Sequence, residues 1–253
     1  MDTPDPIEYM DAAAAAPAGL AYKRRLLGAL AVRPGQTVAD LGCGPGTDLG
    51  RIAGAAGSGG TVIGVDHDEK MLAEARRRYA HLPNVTITPG DLHDLPLPAA
   101  SADRARADRV LQHVASPARV IAEARRVLRP GGLLGMAEPD WDTLAVADED
   151  TDVSRRFARY VAGGVRNATI GRDLVRLSAQ AGLGIHSAEA VPILFRDFPS
   201  ADQFLGLTRN TARAVRDGAL NSQEAAAWLD RLTAGPVIAG FTVYLVVARH
   251  ISM

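Results

Sequence analysis

The sequence predicts an α/β fold, a doubly wound parallel sheet with helices on both faces. Two observations carry this. From Thr37 onward, short apolar runs alternate with helical patterns, and strands separated by helices return to one sheet through right-handed crossovers. Glycine and proline punctuate the joins, as in "VRPGQ" and "RVLRPGG", where neither helix nor strand continues easily.

The elements follow in order. Residues Tyr9 to Leu30 read as helix, interrupted around Pro17, Ala18 and Gly19. "TVADL" reads as a first strand, and "TDLGRIAGAAG" as a helix ending at glycine. Strand "TVIGVD" (61–66) precedes helix "EKMLAEARRRYA" (69–80), and "VTITPGD" (85–91) makes a third strand. "ADRARAD" (102–108) is placed as a fourth by its neighbours alone, because Arg104 and Arg106 suit a buried central strand poorly. A helix follows, with Pro117 near its start and Gly131 past its end. "GLLGMAEPD" (132–140) is the fifth strand.

Beyond Asp140 the pattern changes to two helices, a strand over 185–197, a helical pair opened by Ser200 and Ser222 as N-caps, and a closing strand, "FTVYLVVAR" (241–249). Three regions result. Residues 1–31 form an N-terminal helical lid, 32–140 a ligand-binding core, and 141–253 the remaining sheet with a helical insertion over about 198–236.

Bulk properties narrow the function. The 253 residues are 47% hydrophobic and 23% charged, with a formal net charge of -1. That is the composition of a globular domain, without the basic excess of a nucleic-acid binder. No apolar stretch approaches the length of a membrane span. The acidic start and the alanine run followed by Arg do not read as a signal peptide, so the expected location is cytoplasmic. One cysteine, Cys43, precludes an internal disulfide. The six histidines lack the spacing of a metal site, and no metal is expected.

The informative stretch is "TVADLGCGPGTDLG". Ligands of open α/β sheets bind outside the carboxyl ends of the strands, and the first strand-to-helix turn is the usual cradle. Glycines at 42, 44 and 46 let a ligand approach the backbone. The dinucleotide pattern G-x-G-x-x-G is broken, since position 47 is Thr. Asp40 at the mouth of this turn favours a cationic group over a diphosphate. Asp66 ends the second strand, placed to accept from both hydroxyls of a ribose, and Asp91 ends the third, placed to accept from an exocyclic amine. The inferred ligand is a cationic, phosphate-free nucleoside.

"VADLGCGPG", "VIGVDHDEKML", "GDLHDLPL" and "RVLRPGG", in this order over residues 36 to 140, resemble class I S-adenosylmethionine-dependent methyltransferases. The resemblance implies a Rossmann-like sheet of seven strands, mostly parallel with the last antiparallel, and helical segments over the cleft that select the acceptor. It implies that Gly42, Cys43, Gly44 and Gly46 turn around the methionine part, with Asp40 near its amino group. Asp66 would hold the ribose, His67 and Met71 would flank the adenine, and Asp91 and Leu92 would meet the adenine edge and face. Arg109 would lie beside the methionyl moiety through its backbone. The cofactor would be S-adenosyl-L-methionine and its product S-adenosyl-L-homocysteine.

Methyl transfer from a sulfonium is an in-line displacement in which alignment supplies much of the rate. A hydroxyl or acidic carbon acceptor calls for a base, a neutral amine does not. His113 is the candidate base or acceptor-positioning group. Glu138 is placed to touch a cationic or hydroxylated acceptor, and Trp141 to stack on a planar one. Arg166, Asn167 and Arg172 are candidates to line the lid, as are Phe195, Phe198, Phe204, Leu205 and Trp228.

The predicted function is methyl transfer to a small molecule, in bacterial secondary metabolism, by a monomer or homodimer without nucleic-acid or membrane partners. The alternative is a cofactor-binding protein of the same fold that catalyses another reaction, such as cyclisation. A nucleic-acid methyltransferase is disfavoured, because "ADRVLQHV" stands where a base-stacking N/D-P-P-Y/F motif belongs.

Overall fold

The structure, a computed structural model, describes residues 5–251. Helices α1 (Pro6–Ala15) and α2 (Pro17–Leu30) precede strand β1 (Thr37–Leu41). There follow α3 (Leu49–Ala56), β2 (Thr61–Asp66), α4 (Glu69–Tyr79), β3 (Val85–Pro89), β4 (Ala102–Asp108), α5 (Pro117–Val127) and β5 (Leu128–Val146). The second half contains α6 (Thr151–Gly163), α7 (Ile170–Gln180), β6 (Leu183–Phe195), α8 (Phe198–Leu205), α9 (Leu207–Arg216), α10 (Ser222–Ala234) and β7 (Ala239–His250).

The seven strands form one sheet in the order β3-β2-β1-β4-β5-β7-β6. The strands β3, β2, β1, β4 and β5 pair in parallel, whereas β7 runs antiparallel to both β5 and β6. The order reverses between β1 and β4, and the crevice at that switch point is where an open α/β sheet takes its ligand.

The weakest strand on propensity, β4, is real. Its side chains alternate between two environments. Ala105 and Ala107 are buried with Val120, Ile121 and Ala124 of α5. The arginines take the opposite side. Arg104 donates to the carbonyls of Leu30 (2.7 Å) and Ala31 (3.3 Å) at the end of α2, a helix terminus that favours a cation. Arg106 enters an acidic network described below.

Two apolar layers sandwich the sheet. On one side, Leu26 and Leu30 of α2 pack with Phe157 of α6, Trp228 of α10 and the inner residues of β7. On the other, α5 and α7 cover β4 and β5. A smaller cluster holds α3 through Ile52 and Ala56 against Val38 and Val62.

Differences from expectation lie mainly after residue 127. The predicted helical pair is three helices, with Gly206 at φ 62° separating α8 from α9. The caps also differ. Asp197 accepts from Ser200 N (2.8 Å), and Asn221 accepts from Gln223 N (2.8 Å), so each serine stands inside its helix rather than capping it. Among the described residues, no helix is long and apolar enough to cross a membrane.

Candidate active site

The turn after β1 is built by its glycines and pinned from β2. Gly42, Gly44 and Gly46 have φ of 73°, 53° and 81°, conformations that cost an L side chain. The amides of Gly42 and Cys43 both donate to the Val65 carbonyl (2.7 and 3.0 Å). Gly44 N donates to Asp66 Oδ2 (2.8 Å), while Asp66 Oδ1 accepts from His67 N (2.7 Å) and Asp68 N (3.1 Å). One carboxylate therefore shapes two adjacent loops. A β-carbon on Gly42 would come within 2.5 Å of Val110 Cγ2, whereas on Gly44 it would meet only Met10 Sδ, at 3.3 Å. Gly44 is thus the point where the backbone lies bare.

Cys43 and Gly46 face elsewhere. Cys43 Sγ lies 2.9 Å from where a β-carbon on Gly64 would stand, so the thiol fills space between β1 and β2. Burial, then the charges of Asp40 and Asp66, push its pKa up, which leaves no reactive thiolate. Gly46 packs under Tyr79, whose hydroxyl donates to its carbonyl (2.6 Å).

Asp40 departs from the sequence reading. It is not a bare charge awaiting a cation, for Arg106 Nη1 donates to its Oδ1 at 2.8 Å. Arg106 Nη2 also reaches Asp48 (2.7 Å) and Asp108 (2.5 Å), and Lys23 from α2 bridges the same two acids at 2.5 Å each. Tyr22 OH donates to Asp108 Oδ1 (3.0 Å). Burial pushes the Asp40 carboxyl up, with Arg106 opposing. Burial also works against ionised Asp48, yet Arg106 and Lys23 outweigh it and hold this group at about 2. Three carboxylates thus surround two buried cations. Arg51 approaches Asp48 from the surface (3.1 Å). The missed members are Lys23 of α2, Asp48 at the start of α3, and Arg106 and Asp108 of β4, and only the odd alternation of β4 signalled one of them.

A cavity of about 690 Å³ opens above this network, within the size range of small-molecule sites. Asp40, Gly42, Cys43 and Gly44 line one end. Asp66, His67 and Met71, then Asp91 and Leu92, line the next wall, and Arg109 and His113 the far side. Gly46, Glu138 and Trp141 do not line it. Asp91 Oδ1 accepts from His93 N (2.9 Å) and lies 2.7 Å from His93 Nδ1. These bonds, backbone first, lower the Asp91 pKa. Tyr9, Met10, Ala13 and Ala14 of α1 also line the cavity.

Glu138 and Trp141 do something other than contact an acceptor. Glu138 is fully buried at β5 and accepts from the amides of Val110 (2.8 Å), Leu111 (2.6 Å) and Gln112 (3.3 Å). Burial pushes its carboxyl up to about 8, with the amides of Leu111 and Val110 pulling the other way. Trp141 stacks on Phe241 with ring centroids 4.8 Å apart, and its Nε1 donates to Gln112 Oε1 (2.8 Å). Both residues therefore hold the turn that carries Arg109 and His113. Asn167 holds it from α7's side, donating through Nδ2 to the carbonyls of Leu111 and Val114 (2.8 Å each). Arg172 pairs with Asp140 and lies off the cavity, whereas Arg166 lines it.

Arg109 has φ 59°, a strained conformation for a side-chain-bearing residue. Its amide donates to the Ala137 carbonyl (2.8 Å). Its guanidinium carbon lies 5.0 Å from the Phe204 ring centre, and Nη2 donates to Tyr9 OH (3.3 Å). His113 stands at the cavity mouth, with solvent on one side. Burial on the other side, and then the Arg109 charge, lower its pKa from the ordinary 6.5. Of the proposed lid aromatics, Phe195 and Phe204 line a separate cavity of about 830 Å³ between α1 and α8. Trp228 is sealed against Phe157 and donates to Ser154 Oγ (3.0 Å).

The donor set suits a nucleoside. The bare Gly44 backbone, the Asp66 carboxylate and the apolar Met71 and Leu92 side chains share one cavity, and both lysines among the described residues are paired, Lys23 with Asp48 and Asp108 and Lys70 with Asp5. Among the described residues, no group of three or more His, Cys, Asp or Glu is placed to hold a metal ion.

Comparison with known proteins agrees with this geometry. A family model described as a methyltransferase domain matches residues 39–136. An uncharacterized 37.1 kDa protein in transposon TN4556 of Streptomyces fradiae is 51% identical over 247 residues, covering 97% of this chain and 72% of that protein. A probable S-adenosylmethionine-dependent methyltransferase of Mycolicibacterium smegmatis is 41% identical over 111 residues, and the match spans 44% of this chain and only 41% of that relative. Among solved structures, a methyltransferase-fold protein of Bacillus halodurans superposes with a TM-score of 0.66 at 19% identity, covering 90% of this chain and 98% of that one. The fold is that of the class I methyltransferases. The chain belongs to the S-adenosylmethionine-dependent methyltransferase family, and S-adenosylmethionine is its cofactor.

Proposed function

We propose that this protein transfers a methyl group to a small-molecule acceptor that enters beside His113. The observation that carries the reading is the placement of His113 in the wall of the same cavity as Gly44 and Asp66. When bound, S-adenosylmethionine supplies an electrophilic methyl group on a sulfonium. Asp66 would accept from the ribose hydroxyls, with Gly44 against the methionine part. Met71 and Leu92 would pack on the adenine, beside His67 and the Asp91 edge.

The chain's own residues supply alignment and a proton acceptor. The Glu138, Gln112 and Asn167 hydrogen bonds fix the backbone of the 109–114 turn, which sets where His113 leaves the chain. Its lowered pKa keeps the imidazole neutral at pH 7, the form able to take a proton from a hydroxyl or acidic carbon. Tyr9, Met10, Ala13 and Ala14 of α1 stand along one side of the cavity, which supports an acceptor of small size. A bacterial secondary metabolite fits that description.

The test is conversion of labelled S-adenosylmethionine to S-adenosylhomocysteine in the presence of fractionated small molecules. Label should appear in a low-mass product. Release of S-adenosylhomocysteine only with nucleic acid or protein fractions would reject the reading. Acceptor turnover with no methyl release would mark a non-methylating reaction such as cyclisation.

A further inference from the structure

We propose that the acceptor carries an oxyanion, a carboxylate or a phosphate, and that Arg109 and Arg166 receive it at the cavity wall beside His113. This rests on the methyltransferase reading and adds to it the charge of the acceptor.

The cavity is divided by sign. Four arginine and lysine side chains line it: Lys23, Arg106, Arg109 and Arg166. Lys23 and Arg106 are consumed by Asp40, Asp48 and Asp108. Among the described residues, Arg109 and Arg166 have no carboxylate within salt-bridge distance. For Arg109, which is half-buried, standing at the wall without a counter-charge is costly unless a ligand supplies one; Arg166 stays solvated.

Arg109 is presented rather than absorbed. A guanidinium carries five N–H donors, and among the described residues this one gives a single hydrogen bond, to Tyr9 OH (3.3 Å). Its guanidinium carbon lies 5.0 Å from the Phe204 ring centre and 6.0 Å from that of Tyr9. The remaining N–H donors are of the kind that grips a carboxylate or phosphate in two parallel bonds. The backbone argues the same way. With φ at 59°, glycine would occupy position 109 with less strain, so the turn alone does not call for arginine. Arg166 is brought alongside by its neighbour. Asn167 bonds to Leu111, Gln112 and Val114 through side chain and backbone, which sets Arg166 over the segment containing His113.

The cofactor's own carboxylate offers the same chemistry. The Arg109 guanidinium stands between Tyr9 of α1, which lines the cavity, and Phe204 of α8, and S-adenosylhomocysteine binding by the Arg109 variant separates the two anions. An anion there would also stand next to His113.

The experiment uses the full chain saturated with S-adenosylhomocysteine, titrated calorimetrically with benzoate, phenyl phosphate and the uncharged benzamide. Wild type should bind one of the two anions at least about tenfold more tightly than benzamide. Arg109→Gly should abolish that preference and Arg166→Gln should reduce it, with affinity for S-adenosylhomocysteine changed less than about twofold, well under the effect of a lost charged hydrogen bond. Arg109→Gly removes a strained side chain, so its melting temperature should not fall; Arg166 is exposed and its replacement should leave the fold intact. Equal binding of anion and amide by wild type overturns the proposal, as does a preference that survives in both variants. Loss of S-adenosylhomocysteine binding in Arg109→Gly also overturns it, by assigning the guanidinium to the cofactor. Wild type that fails to bind S-adenosylhomocysteine at all would remove the methyltransferase reading as well.

Discussion

Replacing Arg106 by Met would leave a carboxylate buried without its counter-charge. Arg106 is 4% exposed and Asp40 2%, so water cannot take the place of the guanidinium. The size of the effect follows from counting orphans. Asp48 and Asp108 keep Lys23, at 2.5 Å each. Asp40 has no other cation within hydrogen-bond distance among the described residues. One stranded charge, not three, sets the cost, and breaking a buried pair costs about 3–5 kcal/mol. For a chain of this length each kcal/mol moves the melting temperature by about 2–4 °C, so the fall should be about 6–20 °C. Thermal unfolding followed by circular dichroism measures it. The double variant Arg106→Met with Asp40→Asn removes the stranded charge and should recover about 0.5–3 kcal/mol. A single variant melting within about 2 °C of wild type, or a double variant no better than the single, would refute the assignment of Arg106 as the neutralising centre of the cleft.

Three further outcomes are expected. Asp66→Ala should weaken S-adenosylhomocysteine binding by about 1.5–3 kcal/mol, the worth of a hydrogen bond to a charged group; unchanged calorimetric affinity would remove Asp66 from the ribose. Turnover should depend on neutral His113. Because its pKa lies below 6.5 in the fold, activity should rise with pH through a value under 6.5 and flatten by neutrality, and His113→Ala should erase that limb in a pH–rate profile. The same shift means the unfolded chain binds the extra proton first, so this residue's contribution to stability is present above pH 6.5 and lost as pH falls. Glu138→Gln should destabilise by about 1–3 kcal/mol, since an amide offers one acceptor oxygen to three backbone donors, and turnover should drop more than cofactor affinity, as the 109–113 turn loosens.

The glycine-turn end of the cavity was legible because it is local. Each strand end delivers its acid a few residues from a glycine or a helix start, and Asp66 and Asp91 stand in the cavity wall as the spacing predicts. Strand β4 was readable only through its neighbours, since the partners that make Arg106 tolerable are 58 to 66 residues away in Asp48 and Asp40. The far wall was harder for the same reason. Glu138 and Trp141 are polar or aromatic residues near a strand end, and that pattern fits contact with an acceptor as well as support of a neighbouring turn. Only the convergence of three amides on Glu138 decides between them. Tyr9 and Lys23 reach the cavity from helices that pack across the sheet's edge, and no sequence pattern marks which helical face will meet a cavity.

Ala16 separates α1 from α2 with extended backbone, ψ 141°, and so leaves the first helix joined to the second by a short pivot. The far side of α1 is moored to α4 by ion pairs: Asp11 receives both terminal nitrogens of Arg78, at 2.7 and 2.6 Å, and Asp5 receives Lys70 at 2.8 Å. Moorings of this kind slacken as dissolved ions crowd in. Departure of spent nucleoside from beneath that helix is therefore expected to quicken in stronger brine, whereas the sheet below, held by oil and backbone, stays as it was.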